Sequence, residues 1–130
     1  MSSSATPGRV TPAGFEAAAK RVMDLHFGTL LAKGKASGVP KTFDLVSADG
    51  SIVGDAKYFT MVRGRFLPPA KFSVIAEHVW LLEKTAASRK FLVFGNDRRV
   101  PEEWLRRYIH LAKSVEFYFL DVGTGRLDRL

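Results

Sequence analysis

Asp44, Asp55 and Lys57 are the residues of this sequence best placed to do chemistry together. They lie in two β-rich runs, TFDLVS and IVGDAKYF, joined by ADGS. The Asp49-Gly50 pair favours a two-residue type I′ turn, which sets Ala48 opposite Ser51 and Asp44 opposite Asp55. Directly opposed residues of an antiparallel pair have Cβ atoms about 5 Å apart. The strand period of two then puts Lys57 beside Asp55 on the same face, with Val46, Val53 and Phe59. Phe43, Leu45, Ile52, Ala56 and Tyr58 fill the other face, so the hairpin is apolar on both sides and belongs inside a sheet. Two carboxylates opposed on a partly buried face repel each other, and desolvation adds to the cost, unless a proton or a cation stands between them. A divalent metal resolves that conflict. Oxygen ligands suit Mg²⁺ (or Mn²⁺) better than Zn²⁺.

The plainer alternative is a solvent-facing hairpin whose three charges are surface groups, with Lys57 neutralising an acid. It does not explain opposed acids on strands with two apolar faces. Arg63 and Arg65 flank Gly64 in the loop after the second run, and Lys71 opens the following helix. All three are candidate phosphate contacts of a bound nucleic-acid strand. The pairs Arg98-Arg99 and Arg106-Arg107 read as solvated faces. His26, His78 and His110 lie on separate helices without metal-binding spacing and read as structural. Trp80 and Trp104 read as core.

The elements that must position these residues follow from the apolar spacing. Residues 1 to 10 are polar and small, a disordered tail. Thr11 as N-cap and Pro12 open a helix with Phe15, Ala18, Ala19, Val22 and His26 on one side. It stops at Gly28 or runs on to Lys33; in the first case Thr29 to Ala32 form a short edge strand. After the hairpin, residues 60 to 70 read as a loop, and Phe72, Ile75, Ala76, Val79 and Leu82 mark a second helix. Lys90 to Asn96 is an internal strand. Pro101 opens a third helix with Trp104, Leu105, Tyr108, Leu111 and Ala112 inward, and Val115 to Asp121 is the last strand. The order predicts an α/β fold: one domain, residues 11–130, with a mixed sheet, a β-hairpin and flanking helices, its later strands parallel.

The 130 residues include 20 Lys plus Arg against 13 Asp plus Glu, a formal charge of +7, which favours a polyanionic partner such as nucleic acid. There is no cysteine, so neither a disulfide framework nor a thiolate zinc site exists, and a cytoplasmic location is predicted. No stretch approaches the roughly 18 uncharged apolar residues of a membrane helix, and nucleophilic-serine and phosphate-loop signatures are missing.

The arrangement from Asp44 to Lys57, FD followed after ten residues by DAK, resembles the PD-(D/E)XK signature of restriction-endonuclease-like nucleases. Phe43 stands where the family name has proline. The resemblance spans roughly residues 11 to 121 and implies a restriction-endonuclease-like core. It implies Asp44 and Asp55 as metal ligands, joined by the carbonyl of Ala56, with Lys57 orienting or deprotonating the attacking water. The family's first helix often supplies a glutamate, and Glu16 is the matching residue, although an ordinary pair with Lys20 would also account for it. The implied activity is Mg²⁺-dependent hydrolysis of DNA phosphodiesters. At this chain length, junction or branched DNA is the substrate favoured, and the resemblance to junction resolvases implies a homodimer. The alternative is a nucleic-acid-binding or protein-interaction module that keeps the fold without cleaving.

Overall fold

The computed structural model describes residues 10–60 and 69–130. Helix α1 (Pro12–Phe27) starts as its sequence predicts, with Thr11 Oγ1 accepting from the N–H of Gly14 at 3.0 Å, and it stops at Gly28. Asp24, near its end, ties it to the sheet: Oδ1 takes the N–H of Leu31 at 2.8 Å, while Oδ2 meets Lys20 at 2.7 Å. A strand therefore does follow α1. It is β1 (Leu31–Ala36), longer than the sequence predicts, and it turns directly into β2 (Val39–Ser47). β3 (Ile52–Phe59), α2 (Pro69–Glu83), β4 (Arg89–Asn96), α3 (Arg99–Tyr108), a 3-10 turn at Ile109–Leu111 and β5 (Val115–Asp121) come next. A short β6 (Arg126–Arg129), which the sequence reading lacks, closes the chain.

The six strands form one mixed sheet in chain order. β3, β4 and β5 run parallel, as helical crossovers require, and the hairpins β1–β2–β3 and β5–β6 run antiparallel. α2 and α3 cover one face, burying Ile75, Val79, Leu82, Val100 and Trp104 with Val53, Leu92, Phe94 and Phe117. α1 covers the other with Phe15, Ala19 and Met23 against Leu45, Ala56, Phe91 and Val93. The chain is thus an α/β fold of three layers, and β4, in the middle, is buried on both sides. No helix among the described residues is long and apolar enough to cross a membrane. Apart from Val10, the predicted tail lies outside the described residues.

Several packing expectations need correction. Trp80 is 58% exposed and Leu111 62% exposed, and neither lies in the core, although Trp104 does. Ala76 is also exposed. Phe43 packs with Val53 and Ile75 on the α2 side, not with Leu45 on the α1 side. The cause is a bulge: β1 pairs Ala32 with Val46 but Gly34 with Phe43, so Asp44 and Leu45 together oppose Lys33. One extra residue reverses the inward side of everything beyond it.

Candidate functional site

The β2–β3 connection is not the predicted two-residue turn. A type I′ turn needs positive φ at both central residues, and among the described residues Asn96 is the single non-glycine with positive φ. The chain instead makes a turn closed by Gly50 N–H to Ser47 O at 3.0 Å, with Gly50 in the left-handed region at φ 74. Asp49 locks it by accepting from both Ser47 Oγ and Ser51 Oγ, at 2.8 and 2.7 Å. These bonds hold the Asp49 carboxyl down to a pKa of about 2. The two extra loop residues leave the register intact: Leu45 pairs with Gly54 and Val46 with Val53. Continued by one residue, this register would set Asp44 opposite Asp55 as the sequence predicts, but the ladder ends at Leu45 and Gly54.

At that pair the strands part, β2 continuing beside β1 while β3 stays with β4. The two aspartates span the gap with side chains in place of ladder bonds. Asp55 Oδ1 accepts the N–H of Asp44 at 2.8 Å, and Asp44 Oδ2 accepts the N–H of Ala56 at 3.0 Å. Asp55 is 0% exposed. Its second oxygen, Oδ2, is buried without a hydrogen-bond partner among the described residues. Lys41 Nζ at 3.1 Å and His78 Nε2 at 3.4 Å stand within ion-pair range of it. Neither contact has hydrogen-bond geometry, so the oxygen is electrically compensated but not hydrogen-bonded.

The bulge divides the carboxylates between partners. Asp44 Oδ1 faces Lys33 Nζ at 3.6 Å, and Lys33 also meets Glu16 Oε1 at 3.2 Å. Asp44, Glu16 and Lys33 line a cavity of about 290 Å³ between α1 and the strand edge. Asp55 is turned toward α2 and Lys41. The predicted shared face therefore holds for Asp55 and Lys57 and departs at Asp44. Lys57 is half-buried, and its ammonium makes no hydrogen bond or ion pair among the described residues. Burial lowers its pKa below the usual lysine range, opposed by the charges of Asp55, Asp44 and, more weakly, Glu16. All four ionisable groups thus belong to one electrostatic cluster.

Burial also raises the Asp55 pKa, with the neighbouring Asp44 charge adding to it and the Asp44 N–H opposing it. His78, nearly buried on α2, has its pKa lowered mainly by burial. From the sequence alone His78 reads as structural, and nothing there singles out Lys33 or Lys41. The signal for His78 was its place in the buried stripe of Ile75, Val79 and Leu82.

Of the remaining candidates, Glu16 pairs with Lys33 and not with Lys20, which holds Asp24. Ala56 enters through its N–H. Lys71 is exposed at the start of α2, its Nζ 5.5 Å from the centre of the Phe59 ring. Arg63 and Arg65 lie outside the described residues. The arginine pairs are neutralised locally: Arg98 by Glu102 and Asp128, Arg99 by Asp97, Arg106 and Arg107 by Glu103. Among the described residues no group of three or more His, Asp or Glu side chains stands ready to hold a metal ion. No protein-family model matches the chain, and no curated protein matches it.

Proposed function

We propose that this chain has a restriction-endonuclease-like core of the PD-(D/E)XK kind and is a nuclease dependent on Mg²⁺ or Mn²⁺ that hydrolyses DNA phosphodiesters. The observation that carries the reading is the Oδ2 of a fully buried aspartate, without a hydrogen bond among the described residues and set beside a half-buried lysine at the point where two strands part. A buried carboxylate oxygen without a hydrogen bond costs free energy. Lysines now supply the positive charge on both aspartates, and a divalent cation is the more concentrated replacement. Mg²⁺ is commonly held by one or two carboxylates with water and substrate completing its shell, so a cage of three protein ligands is not required.

In this reading Asp55 through Oδ2 and Asp44 through Oδ1 would hold the ion once the Asp44 side chain turns from Lys33 toward Asp55, with Glu16 reaching it across the space now taken by Lys33 and the Ala56 carbonyl completing the protein's share. When bound, the ion supplies Lewis-acid polarisation of the phosphate and activates water as a nucleophile. Lys57 takes the water's proton or faces the charge that grows on the phosphate. Its lowered pKa suits the first task, since it reduces the cost of the neutral amine at physiological pH; the second needs the ammonium form. Lys33 and Lys41, released from the carboxylates, become available to phosphate. Lys71, with Arg63 and Arg65 as the sequence suggests, would extend the contact along a bound strand. The net charge of +7 favours that encounter. Junction or branched DNA, cut by a homodimer, is the substrate class that the resemblance to junction resolvases implies.

A second reading, a nucleic-acid-binding or protein-interaction module that does not cleave, is favoured by Lys33 and Lys41, which already compensate both aspartates. Incubating supercoiled plasmid and four-way DNA with the protein in Mg²⁺, Mn²⁺ or chelator separates the two. Metal-dependent nicking supports the nuclease, whereas equal binding in all three conditions without nicking supports the module.

A further inference from the structure

His78 stands in an unusual relation to Asp55. Its Nδ1 lies 2.8 Å from the carbonyl oxygen of Val74, one turn earlier on α2. A carbonyl can only accept, so Nδ1 carries the proton and donates it. In the neutral imidazole Nε2 then bears a lone pair, and Nε2 faces Asp55 Oδ2 at 3.4 Å. Two electron-rich atoms therefore point at each other in a buried place, and the carboxylate oxygen has no hydrogen bond among the described residues. Such an arrangement is stable only with something positive between the two atoms.

An N–H to backbone carbonyl bond on the far nitrogen is also the contact that orients a metal-binding imidazole and fixes its tautomer. Two donors about 2.1 Å from one ion, at angles between square and tetrahedral, stand about 3.0 to 3.4 Å apart. The separation of Nε2 and Oδ2 falls in that range without any movement of α2 relative to β3. Lys41 Nζ now supplies positive charge to the same oxygen, and its side chain, 23% exposed, can withdraw toward solvent.

We infer that Asp55 Oδ2 and His78 Nε2 are two ligands of one divalent ion, and that the imidazole makes this site select a transition metal such as Mn²⁺ over Mg²⁺. The inference rests on the metal site of the proposed function and adds a ligand that the sequence motif does not contain. An imidazole nitrogen suits Fe²⁺, Co²⁺ or Zn²⁺ far better than Mg²⁺, which prefers an all-oxygen shell, and Mn²⁺ accepts it more readily than Mg²⁺ does. Burial of His78 favours the neutral ring that a ligand must be.

Calorimetric titration of the metal-free full chain with MnCl₂ and with MgCl₂, for the wild type and for His78→Asn, tests this without reference to activity. The expected result is tighter Mn²⁺ than Mg²⁺ binding in the wild type, with Mn²⁺ weakened by about tenfold or more in His78→Asn and Mg²⁺ changed little. Pulsed electron paramagnetic resonance of the Mn²⁺-loaded wild type should show an imidazole ¹⁴N coupling, a readout that needs no variant to fold. Mn²⁺ binding without that coupling, or unchanged in His78→Asn, overturns the inference and leaves the metal site standing. Binding of neither metal by the wild type overturns both.

Discussion

The N–H of Asp44 donates to Oδ1 of Asp55, while Asp44's own carboxylate turns away to the N–H of Ala56. Each aspartate thereby occupies a backbone group that the parting strands would otherwise leave unpaired. One oxygen of each carboxylate is structural. The other, Oδ1 on Asp44 and Oδ2 on Asp55, meets among the described residues only lysine and, for Asp55, His78.

This division of labour predicts the effect of Asp55→Asn. The amide oxygen keeps the bond from Asp44, and the new NH₂ can donate to the His78 lone pair where a carboxylate cannot. Thermal melts in chelator should place the variant at or above the wild-type Tm. Adding Mg²⁺ or Mn²⁺ should raise the wild-type Tm more than the variant's, because a ligand stabilises in proportion to its binding of the folded state. A clear drop in Tm for the variant in chelator would make Asp55 a satisfied structural partner.

The same group sets a pH dependence. The Asp55 pKa is raised above its ordinary 3.8 in the fold, so the folded state keeps the proton longer than the unfolded chain does. That contribution to stability is fully present below pH 3.8 and is lost as pH rises through the higher folded value. The Tm advantage of Asp55→Asn over the metal-free wild type should therefore grow as pH rises from 4 to 7. Melts in chelator across that range measure it, and an advantage that shrinks with pH contradicts the assigned direction.

Lys57→Ala should lower cleavage by about two orders of magnitude or more and leave DNA affinity nearly unchanged. Single-turnover cleavage and fluorescence anisotropy of the same variant separate the two effects. An equal loss of binding would assign Lys57 to phosphate recognition instead.

Gly54, one residue before Asp55, packs so closely on Phe91 that a Cβ there would overlap the ring. Phe91 is fully buried and cannot withdraw. Gly54→Ala should cost about 1–3 kcal/mol, read by urea unfolding. The Asp55 backbone should shift with it, so metal affinity should fall in the same variant.

The Asp44–Asp55 register was legible in the sequence because the two β-rich runs flank a turn of fixed parity: loops of two and of four residues pair the same residues. The bulge at Asp44 and Leu45 was not. Phe43, Leu45 and Ser47 are all buried, so the alternation in β2 looks unbroken. Because helices cover both faces of the sheet, a buried side chain does not reveal which face it occupies. Most of β1 and all of β6 were hidden for a different reason. β1, LAKGKA, and β6, RLDR, carry the charges that blunt an exposed sheet edge, and those charges erase the apolar pattern by which a strand is recognised. In α2 apolar residues surround most of the helix, so Trp80 could not be assigned outward from spacing alone.

Cleavage itself tests the central claim most directly: nicking of supercoiled plasmid and four-way DNA by the wild type, Asp55→Asn and Lys57→Ala, each with Mg²⁺, with Mn²⁺ and with chelator. The account predicts nicking by the wild type in metal alone, none in chelator, and loss of nicking in both variants while they remain folded. Nicking that persists at the wild-type rate in Asp55→Asn, or a folded wild type that binds DNA but never nicks it with either metal, would contradict it.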